Sequence, residues 1–381
     1  MSEIIIKEVS TKKELDAFIC FNYELYDGNP YAVPDLYQDM LDTFNPNKNA
    51  GLDFSDIQLF LAYKDGKLVG RVGAFINHHA NDTWNVKNVR FGWIDFIDDK
   101  EVSKALLDAV KAWGQKRGMQ SMQGPLGITD MDPEGMLIEG FDQLGTMSTI
   151  YNYPYYPEHM DSYGMEKEAD WIEMKMNVPD EIPEKYRRVS EITLQRNNLR
   201  IKKLNGNDDL FNKGYGQKIF DLINEAYAPL FGYSALTQKQ IDQYVKSYLP
   251  LLDLRMITLV ESVDTGDVVA VGVSMPSIVR ALQKSKGRLF PFGWFHLLKS
   301  LKWKHEEGVE LLLVAVKPEY QNKGVNALLF ADLIPIYKKM GFKWAETNPQ
   351  LELNTKGQAQ WQYIEHTVPK KRRCYHIDIS K

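Results

Sequence analysis

The sequence predicts an α/β protein on mixed sheets, made of two copies of one unit. Two hairpin-like stretches of matching pattern lie about half a chain apart, the elements after each follow the same order, and a polar, charged stretch separates the halves. The first hairpin covers 57–76: apolar, β-branched or aromatic runs flank Asp65-Gly66, a pair suited to a tight turn. The second covers 256–275, with a slightly longer turn at 264–266. A strand (91–96), a helix (101–117) and Gly118 follow the first. A strand (309–316), a helix (325–340), Gly341 and an extended run (343–346) follow the second. Each half thus reads strand, helices, hairpin, strand, helix, strand. The expected domains are 1–178 and 198–381, joined by 179–197 with a short helix from Pro183 onward. Equivalent glycines are 200 positions apart at Gly66 and Gly266 but 223 apart at Gly118 and Gly341. The second copy therefore carries extra residues, around 279–305.

The bulk numbers agree with two domains of about 150–200 residues. The chain has 381 residues, 44% hydrophobic and 25% charged, which is ordinary for a globular protein. A net charge of −5 gives no global field toward nucleic acid or anionic lipid, so any anion site must be local. Two cysteines, Cys20 and Cys374, without paired spacing argue against a disulfide framework and a cysteine-based zinc site. The start turns polar at once, without a signal-peptide core, and no apolar run reaches the roughly 20 residues that span a bilayer. The expected location is the cytoplasm. His78-His79, read as adjacent strand residues, would point to opposite faces, so no metal site is expected there.

The strongest chemical signal is the stretch 314–330. A buried-looking strand ends at Pro318, a short polar loop follows, and an amphipathic helix begins. A helix start offers unpaired N–H groups and the positive end of the macrodipole, so it attracts anions. Gly324 would let the backbone approach a ligand closely, and Lys323 adds a positive charge.

This stretch resembles the GNAT superfamily of N-acyltransferases. The family signature is Gln or Arg, two residues, Gly, one residue, then Gly or Ala. The run Gln321, Asn322, Lys323, Gly324, Val325, Asn326 matches at Gln321 and Gly324 and departs at Asn326, with the small Ala327 one place later. As a whole the chain looks like a bacterial group of tandem GNAT-like proteins. The resemblance implies two tandem GNAT-like domains, of which the second binds acetyl-CoA or another acyl-CoA as co-substrate. The loop amides from Gln321 to Ala327 would wrap the diphosphate. The pantetheine arm would lie along Val314, Ala315 and Val316, and Asn354 would contact the cofactor.

Acyl transfer to an amine needs a base for the amine proton and an acid for the leaving thiolate. Strand carboxylates Glu310 and Glu346 are the candidate bases, with Glu352 close by. In the resembled family a tyrosine seven residues after the asparagine often serves as acid. Trp361 stands there, so Tyr363 or Tyr375 would have to substitute, or water, or this copy does not catalyse.

The first half lacks the loop. Asp98, Asp99 and Glu101 crowd its helix start, which suits the dipole but repels a diphosphate, so this copy is not expected to bind CoA. Glu139, Tyr151, Asn152 and Tyr155, in a stretch rich in tyrosine, are the candidates for an acceptor pocket; packing between the halves is the competing explanation. The segment 279–305 holds seven Lys or Arg, no Asp or Glu, and the aromatic run 289–298. We expect it to pack its aromatic side on the second domain. A lid over an acyl chain comes second and a membrane surface last.

The expected function is transfer of an acetyl or other acyl group from CoA to a small-molecule or peptide amine, with neither nucleic acid nor membrane as partner. A non-catalytic acyl-CoA-binding or sensing protein is the alternative that Trp361 favours. An aminoacyl- or peptidyl-transferring tandem enzyme is another, which the phosphate loop disfavours.

Overall fold

The computed structural model describes residues 3–380. In chain order, β1 (Ile4–Glu8), α1 (Lys12–Leu25) and α2 (Tyr37–Thr43) lead into the hairpin β2 (Ser55–Lys64) and β3 (Lys67–Asn77). Its turn residues Asp65 and Gly66 sit at φ 51° and 76°, as the Asp-Gly pair predicts. Then come α3 (His78–Trp84), β4 (Asn88–Phe96), α4 (Lys100–Gln115), β5 (Ser121–Gly124), β6 (Met136–Glu139), α5 (Tyr155–Tyr163) and β7 (Glu166–Asn177). The second half runs α6 (Glu184–Arg196), β8 (Leu199–Lys202), α7 (Asn207–Phe211), α8 (Tyr215–Tyr227), α9 (Gln238–Ser247), β9 (Ile257–Ser262) and β10 (Val268–Pro276). It continues with α10 (Val279–Ser285), α11 (Gly293–Leu298), β11 (Gly308–Val316), α12 (Asn326–Met340), β12 (Trp344–Thr347), β13 (Gln350–Leu351), α13 (Thr355–Gln358) and β14 (His366–Asp378). Among the described residues no helix is long and apolar enough to cross a membrane.

The internal repeat holds element by element. In the first unit β1, β2, β3 and β4 pair in antiparallel order and β5 joins β4 in parallel. In the second, β8, β9, β10 and β11 do the same and β12 joins β11 in parallel. The parallel step follows from the crossover helix, α4 in one copy and α12 in the other. Each helix lays its apolar stripe on its sheet. Leu106, Val110 and Val102 pack with Val72 and Phe96; Leu328 and Leu329 pack with Val260 and Ala270.

The units differ from the expected 1–178 and 198–381. The first comprises 1–172 with 279–298 and 369–381; the second comprises 173–278 with 299–368. Two physical facts account for this. First, the open edge of β5 needs backbone partners, and the C-terminal strand supplies them: Tyr375 to Asp378 of β14 pair with Gly124 to Ser121, and Arg373 pairs with Met136 of β6. Tyr375 and Ile379 enter the core of the first unit. Second, the extra segment 279–298 joins the first unit rather than the second. Gln283 donates to the carbonyls of Pro30 and Ala32 (3.0 and 2.9 Å), the Tyr37 amide donates to the Gly287 carbonyl (2.8 Å), and Lys286 pairs with Asp27 (2.8 Å). The aromatic run is not packed away as expected: Phe290 and Phe292 are 80% and 72% exposed. In the second unit the edge of β12 is covered by the end of β7, where Met176 pairs with Ala345 and Lys175 with Glu346.

His78 and His79 open a helix rather than ending a strand. His78 bonds Asp56 (3.2 Å), while His79 stacks on Phe54 at 4.0 Å.

Truncating the chain before Pro369 removes a strand of the first unit. Hydrogen exchange is expected to show lost protection in 121–124 and 136–139, with 257–262 and 268–276 still protected. Loss centred on the second unit instead would contradict this assignment.

Candidate functional site

The loop of the second unit has the form the sequence predicted, with one reassignment. β11 ends at Val316, a short turn spans Pro318–Tyr320, and α12 starts at Asn326. Asn322 and Gly324 take positive φ (62° and 78°), which turns the chain sharply into the helix. Gln321, Asn322 and Lys323 are exposed. Among the described residues, the N–H groups of Gly324, Val325 and Asn326 have no protein acceptor. A fifteen-residue helix stands behind them. The donors, the dipole and the Lys323 ammonium suit a diphosphate.

Gly324 has a structural reason of its own. A Cβ there would lie 2.6 Å from Val189 Cγ1 and 2.9 Å from Thr193 Oγ1 of α6, and Thr193 donates to the Lys323 carbonyl (3.1 Å). The glycine lets α6 close on the loop, rather than opening the backbone to a ligand. Gln321 donates its amide to the Val316 carbonyl (3.1 Å), so it braces the turn. Ala327, in the first turn of α12, is buried. Asn354 caps α13, accepting from the Gly357 amide (3.0 Å).

Strands β11 and β12 pair only from Gly308 to Leu311 and then part. On the freed edge the Leu312 carbonyl accepts from Asn348 (2.9 Å) and the Val314 carbonyl from the Tyr227 hydroxyl (3.1 Å). Trp361 is 1% exposed and packs on Phe330 at 5.0 Å. Both line a cavity of about 40 Å³ with Leu311, Val314, Tyr337 and Ile364. Trp361 thus acts as a plug on the α12 side of the sheet.

Glu310 and Glu346 come together: they are direct partners across β11 and β12, 1% and 3% exposed. Leu311 and Ala345 line the α12-side cavity, so strand alternation turns both carboxylates to the opposite face. Ser277 donates to Glu310 (2.9 Å), and the Lys175 ammonium is 3.9 Å from Glu346. Tyr363 bonds Lys185 and is 38% exposed, so it sits at the surface. Tyr375 belongs to the core of the first unit and is pushed up to about 12, chiefly by burial, which keeps it neutral.

The first unit holds the roomier site, about 560 Å³, a size typical of small-molecule pockets. It opens where β4 parts from β5, which pair only over 88–90 and 121–123. Its floor is an ion pair. Arg71 on β3 grips Asp95 on β4 through Nη2 and Nε (2.7 and 2.8 Å), both side chains being almost fully buried. Asn22 (3.0 Å), Tyr26 (3.0 Å) and Tyr156 (3.3 Å) also donate to Asp95. Burial, then Asp95, drives the Tyr26 and Tyr156 hydroxyls well above their usual range, so both stay protonated donors. Arg71 also donates to the Phe18 carbonyl (2.8 Å).

Asp35 lines the same cavity, and among the described residues its carboxyl has no hydrogen-bond donor. Burial pushes it up to about 6; Arg71 opposes this, and Asp95 and Asp39 add to it. Asp95 is saturated with donors and Arg71 is spent on Asp95, so Asp35 is the carboxylate left to meet a ligand.

Of the expected acceptor residues, Tyr151 and Asn152 line this cavity. Asn152 also clamps Leu137 through its amide and carbonyl (2.7 and 3.0 Å). Glu139 is exposed on β6 and Tyr155 donates to the Phe96 carbonyl (2.6 Å); neither reaches it. Sequence reasoning missed Asp35, Arg71 and Asp95. A signal for the last two was present, charged residues inside two otherwise largely apolar strands. The helix start of this unit is filled by its own carboxylates: Asp99 caps the Glu101 amide (3.0 Å) and binds Lys64 (2.6 Å), and Asp98 meets His159 (3.0 Å).

Compared with solved structures, the chain resembles a tandem GNAT protein from the clavulanic acid biosynthesis pathway over 100% of its length and 99% of that chain, at a TM-score of 0.58 and 10% identity. The fold is that of a tandem GNAT protein. A GCN5-related N-acetyltransferase from Sphaerobacter thermophilus matches at a TM-score of 0.51 and 11% identity, over 99% of this chain and 96% of that one. Among curated proteins, the bacterial ceramide synthase of Caulobacter vibrioides is 28% identical over 330 residues, 86% of this chain and 84% of its own. YghO of Escherichia coli is 27% identical over 338 residues, 87% of this chain and 83% of its own. No family model matches the chain.

Replacing Arg71 by Ala strands the Asp95 carboxylate in the tandem GNAT core. The expected cost is about 3–5 kcal/mol, read from the urea midpoint of the first unit; a change below about 1 kcal/mol would mean the pair is dispensable.

Proposed function

We propose that this protein is an N-acyltransferase that moves an acyl group from acyl-CoA to an amine. The loop 321–327 of the second unit holds the diphosphate, and the cavity of the first unit is a small-molecule site of its own. The observation that carries this reading is the contrast between the two helix starts. One copy has unpaired amides at a helix start beside Lys323; the other has carboxylates there but a large cavity with an uncommitted acid. The tandem GNAT fold supports acyl-CoA as donor.

In this reading the acceptor enters as an ammonium and gives its proton to a base. The amine nitrogen then attacks the thioester carbonyl, the C–N bond forms, the C–S bond breaks, and the thiolate leaves with a proton from solvent. Asp95 and Arg71 position the cavity walls, and the neutral Tyr26 and Tyr156 hydroxyls hold Asp95. Most of the rate comes from positioning, with proton abstraction adding about 10²–10⁴-fold. The relative named a ceramide synthase directs the acceptor screen: a ceramide is an amide of a long-chain amino alcohol, so such amines come first.

Isothermal titration of acetyl-CoA and octanoyl-CoA tests the donor site. Binding by wild type that weakens at least tenfold in Lys323→Glu/Asn326→Glu supports the loop; equal affinity in the variant places the donor elsewhere. Gly324 variants would not separate ligand loss from disruption of α6.

Asp35 supplies a second test. Its acid form is favoured in the fold, so its charge costs stability as pH rises from 3.8 to about 6. Asp35→Asn is therefore expected to raise Tm at pH 7.5 and to leave it unchanged at pH 3.5. An Asn variant with an unchanged Tm at pH 7.5 would contradict this.

Trp361 favours a second reading, an acyl-CoA sensor, because its indole fills the space beside Phe330 in the second unit. Saturable acyl-CoA binding with no amide product from any amine would select it.

A further inference from the structure

The segment 288–298 combines three properties that neither the core nor the cavity uses. Its aromatic side chains are out in solvent: Phe290 is 80% exposed, Phe292 72%, Trp294 46% and Phe295 42%. Their backbone is nonetheless ordered by local bonds. The Trp294 amide donates to the Leu289 carbonyl (2.8 Å) and its indole N–H to the Pro291 carbonyl (3.2 Å), and Phe295 donates to Phe292 (3.1 Å). Gly293 and Leu297 turn inward and are buried. The aromatic rings are thus presented outward by a built scaffold. Contiguous apolar exposure of this kind marks an interaction surface.

The charge pattern names the partner. Between 279 and 298, the part of the insert in the first unit, the chain carries four Lys or Arg and no Asp or Glu, within a protein whose net charge is −5. Lys284 and Arg288 of this insert are exposed. A second copy of the chain fits poorly, because a two-fold contact would set two basic segments against each other. An anionic bilayer fits on both counts: rings enter the headgroup layer while Lys and Arg meet lipid phosphates.

We propose that this segment docks the protein on an anionic membrane surface. The inner side of the same insert walls the first-unit cavity through Gln283 and Lys286, and Gly287 packs on the Asp35 carbonyl. Docking therefore brings the cavity wall to the lipid, so that an amphiphilic amine dissolved in the bilayer is delivered to it. The surface reading stands apart from acyl transfer, since vesicle binding needs neither donor nor acceptor.

Co-sedimentation of the full chain with phosphatidylcholine vesicles, with and without 40% phosphatidylglycerol by mole as the chosen condition, tests the surface. The expected result is binding to the anionic vesicles at low salt, lost at about 0.5 M salt as screening sets in, and weakened at least tenfold in Phe290→Ser/Phe292→Ser. Both positions are exposed, so an unchanged thermal melt shows that the variant is folded. No pelleting of wild type with anionic vesicles overturns the proposal. So does equal pelleting of the double variant, or a wild-type dimer by light scattering that the double variant converts to monomer.

Discussion

A charge taken out of water has to find its counter-charge, and the first unit is organised around one such demand. Asp95 sits next to the end of β4, where solvent does not reach. Arg71 from the adjacent strand, Asn22 and Tyr26 from the end of α1, and Tyr156 from α5 all turn toward it. Three further elements are thereby fixed to one carboxylate. The same convergence holds the strands apart from the helix ends above them, and the cavity is the space that remains. The ion pair itself adds little net stability once its desolvation is counted; its effect is to specify one arrangement of the walls.

The second constraint is the sheet edge. A strand edge left open pairs with whatever strand is available. β5 is short, and the strand that closes it comes from the far end of the chain, while β12 is closed by the last residues of β7. The two copies therefore cannot be cut apart at the charged joint. The consequence reaches function, because the insert and the closing strand of the first unit are both encoded after the second unit has begun.

The two copies differ at matching places. The second kept the open amides at its helix start and filled the gap between its parting strands with Trp361 and Phe330. The first put carboxylates at its helix start and kept the gap as a cavity. One fold thus offers an anion site in one copy and a cavity with a spare acid in the other. The GNAT frame common to both does not decide which chemistry follows.

Local chemistry determined much of this protein without help. The Asp65-Gly66 turn, the two hairpins, the crossover helices and the loop before α12 are all set by short-range pattern and turn geometry, so they were legible in sequence. So was the placement of Glu310 and Glu346 on strands, though not their pairing or the face they occupy, which depend on the register of β11 against β12. Gly324 was legible as a special position, but its reason lay in α6, more than a hundred residues earlier. Asp35 carries no local mark at all. Only burial, and the spending of Arg71 on Asp95, leave it as the available acid. Strand ownership and the outward presentation of Phe290 and Phe292 were likewise decided by tertiary packing. Edge pairing and burial are long-range events, and periodicity along one segment does not encode which distant segment will satisfy them.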